Sequence, residues 1–125
     1  MKVEDIHDYT MFLMEELGMG DWRTTITFRT DADDSIAECD AEPEYKKVTF
    51  AFNVEKMVAQ GPAGMRAVVQ HEVFHALISP YTRIAKAVTS EEVGNGLHIT
   101  EESLATAFEE VPFWPRLYKA FRRSR

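Results

Sequence analysis

The sequence predicts an α+β domain: an N-terminal helix, a small three-stranded, mostly antiparallel sheet, a long apolar helix and further C-terminal helices. Three observations lead there. Apolar residues recur at helical spacing between Glu4 and Leu17. Three short stretches between Trp22 and Phe52 are rich in β-branched and aromatic residues. Beyond Val54 the periodic stretches are helical, and strands followed by helices argue for α+β rather than a parallel α/β sheet. A length of 125 residues argues for one domain, residues 1–125.

Each element has its own signal. In residues 4–17, Ile6, Tyr9, Leu13 and Leu17 share one helical face, and Gly18 closes the helix. His7 falls on this helix and reads as a surface residue. Trp22–Arg29 alternates as a strand. Asp31–Ser35 is an acidic turn that lacks the sixth-position glycine of a calcium loop, where Ile36 stands, and whose twelfth position, Glu42, has no helix context. Ile36–Asp40 is a second strand and Glu42–Glu44 a turn. Tyr45–Phe52 is a third strand with Val48, Phe50 and Phe52 on one face. Val54–Gln60 is a short helix broken at Gly61-Pro62. A long helix then runs to Pro80, where the missing N–H should end it. Arg83–Val88 reads as a short helix, Gly94–Gly96 as a loop, Glu101–Val111 as a helix stopped by Pro112, and Trp114–Arg123 as the last helix. One strand is expected near the long helix, where its edge could receive an extended peptide.

The long helix carries the chemistry: Val68-Val69-Gln70-His71-Glu72-Val73-Phe74-His75-Ala76-Leu77-Ile78 contains His-Glu-x-x-His. Four residues apart on a helix, His71 and His75 lie on one face, one turn apart. That suits two nitrogen ligands on one Zn²⁺. Glu72 lies between them, where its carboxylate can take a proton from a metal-activated water. Burying two imidazoles and a carboxylate among apolar flanks without partners would cost several kcal/mol, and a metal is the usual compensation. The bland alternative is a core helix whose histidines bond to backbone carbonyls.

Composition narrows the function. Fourteen basic against 21 acidic side chains give a formal charge of −7, which disfavours a general nucleic-acid binder. Arg116, Lys119, Arg122, Arg123 and Arg125 could hold phosphates, but such a tail reads first as a solvated, frayed end. One cysteine, Cys39, excludes an internal disulfide and fits a reducing cytoplasm. The acidic start shows no signal-peptide pattern, and no apolar run reaches the ~20 residues of a membrane span.

A catalytic zinc takes three protein ligands and keeps one position open. The metzincin pattern is excluded, because Ile78 replaces its glycine and Tyr81 its third histidine. The remaining third ligands lie downstream: His98, Glu101, Glu102, Glu109, Glu91 or Glu92. Periodicity leaves the glutamate open. Glu101 shares a stripe with Leu104, Ala105 and Phe108, whereas Glu102 shares a face with Thr106 and Glu109.

The Val-Val-x-His-Glu-x-x-His helix followed by a glutamate-bearing helix resembles the gluzincins. In Glu102-Ser103-Leu104-Ala105-Thr106-Ala107-Phe108 the pattern looks like the glutamate helix of that family, which implies Glu102 as the third zinc ligand. The family usually has an Asp four residues after the ligand, orienting a histidine; here Thr106 stands there. In layout the chain also looks like the small stand-alone peptidases of phages and mobile elements. The resemblance implies one zinc per chain and a protein or peptide substrate. His98 would instead give the all-histidine site of the SprT-like proteases, which carry a glycine where Ile99 stands.

The expected function is therefore a zinc metallopeptidase, with Zn²⁺ on His71, His75 and Glu102. Glu72 takes the proton of the attacking water and returns it to the leaving amine. Tyr81, Arg83 and His98 are candidates for stabilising the oxyanion. A non-catalytic zinc-binding regulatory domain competes with this reading, but it would have no use for Glu72.

Overall fold

Strand β3 (Lys47–Asn53) forms the middle of the sheet, because it has the most apolar surface to hide: Val48, Phe50 and Phe52 are fully buried. The computed structural model describes residues 1–30, 35–88 and 113–125. Strand β1 (Arg23–Arg29) pairs with β3 in parallel, Ile26 opposite Phe50. Strand β2 (Ala37–Glu42) pairs with its other side antiparallel, Cys39 opposite Phe50. The order is β1-β3-β2, so the sheet is mixed rather than mostly antiparallel as the sequence suggested. The reason lies in what each strand must bury. β2 and β3 form a hairpin through the turn Pro43–Tyr45 and Lys46, which holds a left-handed φ of 49°. The threonine-rich β1 does not compete for the centre and joins the far side of β3. Alternation along a strand gives its faces, not its neighbour or direction.

The register puts Ile26, Phe50 and Cys39 on one face and Thr25, Thr49 and Asp40 on the other. The first face turns towards the helices. The second is wetter: Arg23, Thr25, Glu38 and Asp40 are exposed, and Arg29 pairs with Glu38 at 3.3 Å.

Helix α1 (Ile6–Glu16) buries Ile6, Tyr9, Leu13 and Met14, and Gly18 at φ 84° makes the left-handed turn that ends it. His7 is exposed beside Asp8. Helix α2 (Val54–Ala59) is capped by Asn53, whose side-chain oxygen accepts from the Lys56 backbone N–H at 3.2 Å. Gly61, at φ 75°, then redirects the chain into helix α3 (Gly61–Val88). Helix α4 (Phe113–Arg123) returns Trp114 and Phe121 to the core, where Tyr9 meets the rings of Tyr118 and Phe121 at centroid distances of 5.6 and 5.1 Å.

Pro80 does not end α3, as the sequence led one to expect, and residues 83–88 continue it instead of forming a separate helix. Proline removes the N–H that would serve the carbonyl four residues back, that of Ala76. Ser79 supplies a substitute: its hydroxyl donates to that carbonyl at 2.7 Å. The far end of the helix is fastened by Arg83, whose Nη2 donates to the Ala41 carbonyl of β2 at 2.8 Å. The expected acidic turn, the Gly94–Gly96 loop and the Glu101–Val111 helix lie largely or wholly outside the described residues. No described helix is long and apolar enough to cross a membrane.

Candidate metal centre

Helix α3 has two working faces. Val69, Val73 and Ala76 lie on one arc and are almost wholly buried in the core. His71 and His75 lie on the opposite arc and are half-buried, so their rings project beside the core rather than into it. The helix fixes the spacing of their Cα atoms, and the rings close the rest of the gap. The two Nε2 atoms are 3.2 Å apart, with ring centroids at 4.8 Å and planes at 70°. Two nitrogens each ~2.0–2.1 Å from one tetrahedral ion lie about 3.3 Å apart. The pair thus has the spacing a zinc ion requires. The same distance also accommodates an imidazole–imidazole hydrogen bond, with one ring donating.

Glu72 is half-buried on the same segment. Arg83 follows it by eleven residues, three helical turns, so the two share a stripe to within about 20°. Arg83 reaches β2 through the Ala41 carbonyl, and its Nε lies 3.7 Å from the Glu44 carboxylate. The Glu72 side of α3 is therefore the side along which β2 runs. β2 is an edge strand in the described sheet. The Asn53 N–H donates to the Ile36 carbonyl at 2.9 Å, which sets the alternation of the antiparallel pair. Residues 38, 40 and 42 accordingly turn their backbone groups towards β3, and 37, 39 and 41 turn theirs outward. The Arg83 bond to Ala41 fits that alternation.

The structure brings together His71, Glu72 and His75 from the sequence-derived site. Glu102, like His98, Glu101, Glu91, Glu92 and Glu109, lies outside the described residues. Among the described residues no group of three or more His, Cys, Asp or Glu gathers as a metal cluster. Of the candidates for the oxyanion, Arg83 is engaged by Ala41 and Glu44, and Tyr81 is 78% exposed. Sequence reasoning missed the Arg83 anchor. Its shared stripe with Glu72 was available as a signal, but only to a reading that carried the helix through Pro80.

A groove of about 660 Å³ opens elsewhere, between α1 and α4, lined by Met11, Met14, Met19, Thr24 and Phe121 among others. None of His71, Glu72 or His75 lines it. The chain matches no protein-family model, no curated protein and no solved structure.

Proposed function

We propose that the protein is a zinc metallopeptidase, acting on protein or peptide substrates in the cytoplasm. The observation that carries this reading is the 3.2 Å separation of the His71 and His75 Nε2 atoms on a helix that also bears Glu72. The residues present fit a zinc ion: two imidazoles at the right spacing, on a face left out of the core. Glu102 is the proposed third ligand, on the resemblance of its segment to the gluzincin glutamate helix. Zinc held there would act as a Lewis acid and lower the pKa of a water to ~7.

The chain's own groups do the rest. Glu72, one residue from His71, accepts the proton of the attacking water and passes it to the departing amine. Strand β2 lies on the Glu72 side of α3. Arg83 keeps that strand and the helix in fixed relation through Ala41.

The test is zinc content by mass spectrometry of inorganic elements, on tag-free protein. About one zinc per chain in the wild type, lost in His71→Ala, supports the reading. Equal, near-zero zinc in both variants sinks it.

A further inference from the structure

The C-terminal basic residues form an ordered surface. Helix α4 is held to the core by Trp114 and Phe121, 2% and 3% exposed, so it is not a frayed end. That fixes the opposite face. Arg116, Lys119, Arg122 and Arg123 all fall within an arc of about 120° on that face, and all four are exposed. Arg66, from the first turns of α3, joins the same patch: its guanidinium lies over the Tyr118 ring, 4.4 Å from the centroid. None of these five cations forms an ion pair among the described residues, and only Arg122 lies near enough to a carboxylate, that of Asp5, to help hold its pKa down. The chain has 21 acidic side chains with which to neutralise them. Elsewhere it does so: Arg125 pairs with Asp5 and Asp8, Lys46 with Asp21, and Arg29 with Glu38. Five like charges side by side repel one another and lower stability.

We propose that the exposed face of α4, with Arg66, binds the phosphate backbone of nucleic acid without regard to sequence. Charge complementarity selects a polyanion, and four of the five cations are arginines, suited to bidentate phosphate contacts. From Arg116 to Arg123 the row runs about 10 Å along the helix axis. Over that length a duplex strand presents about three phosphates. The composition of the face argues against other occupants. An interfacial membrane helix sinks its apolar side into lipid, and the apolar side of α4 is already in the core. A protein interface has a desolvated apolar centre, and the exposed arc offers only Pro115 between its charges. The net charge of −7 keeps the rest of the surface off the polyanion, so binding is confined to this face. The inference stands apart from the proposed peptidase activity.

The probe is a mixed-sequence DNA duplex of about two helical turns, with the corresponding single strand alongside, titrated by fluorescence anisotropy. Three phosphates along the row, with one more for Arg66, predict an affinity that falls on the order of 10²-fold between 50 and 200 mM salt. Replacing Arg116, Lys119, Arg122 and Arg123 together by Gln should abolish the salt-dependent binding. Replacing them by Lys should retain most of it. Each single change should reduce the salt slope by about one unit, a readout that does not depend on the fourfold variant folding. Arg23→Gln with Lys47→Gln, on the sheet's open face, should leave binding unchanged. No binding of either nucleic acid at 50 mM salt overturns the proposal. So does binding that the Gln variants leave intact, or selective binding of anionic vesicles or polyglutamate-type partners.

Discussion

The Ser79 hydroxyl donates to the carbonyl of Ala76 at 2.7 Å, one residue before a proline that cannot. This bond keeps α3 continuous past Pro80, so that Arg83 reaches β2 while the histidines stay on the same rod. Ser79→Ala removes the substitute donor and leaves the carbonyl short of a partner, at a cost of about 1–2 kcal/mol. Denaturant unfolding should detect it as a lower midpoint with an unchanged slope. In a Pro80→Ala background the backbone N–H returns, and Ser79→Ala should then cost little. Equal cost in both backgrounds would mean that the hydroxyl does not stand in for the missing N–H.

A second buried contact has a pH signature. Tyr9 is fully buried, its hydroxyl accepts from the Gln70 side-chain amide at 2.8 Å, and burial pushes its pKa up to about 12 from 10.0. The folded protein keeps Tyr9 neutral where the unfolded chain ionises it. Below pH ~10 both states are protonated and the full stabilisation is present. Between pH ~10 and ~12 the unfolded state binds fewer protons, so stability falls by on the order of 2–3 kcal/mol. Tyr9→Phe should be less stable at neutral pH, because Gln70 loses its partner, and should show a shallower loss over that alkaline window. An unchanged alkaline slope in Tyr9→Phe would contradict the assignment.

The third ligand is separable by zinc affinity. Glu102→Gln should weaken zinc binding by at least 10-fold, while Glu101→Gln should leave it nearly unchanged. Loss only in Glu101→Gln would move the ligand by one residue. Loss in neither, with loss in His98→Ala, would make the site all-histidine.

How much was legible in the sequence depended on the range of the interaction. The spacing of His71 and His75, the burial of Val48, Phe50 and Phe52, and the exposure of His7 follow from local period, and the structure has them so. The parallel pairing of β1 with β3 was not legible, because it depends on which strand wins the centre. Pro80 misled, because the rescue comes from a neighbouring serine rather than from the proline itself. The anchoring of the basic tail was not legible, because Phe121 packs against Tyr9 and Phe12 of α1, distant in sequence.

The most direct measurement is the rate of peptide hydrolysis by Glu72→Gln, beside its zinc content and melting temperature. A mixed peptide library read by mass spectrometry supplies the substrate. Glutamine is nearly isosteric with glutamate but cannot accept the proton. Cleavage should therefore slow by roughly 10²–10⁴, with zinc content and melting temperature close to those of the wild type. Cleavage by Glu72→Gln as fast as by the wild type would contradict the account, as would a zinc-loaded wild type that cleaves nothing in the library.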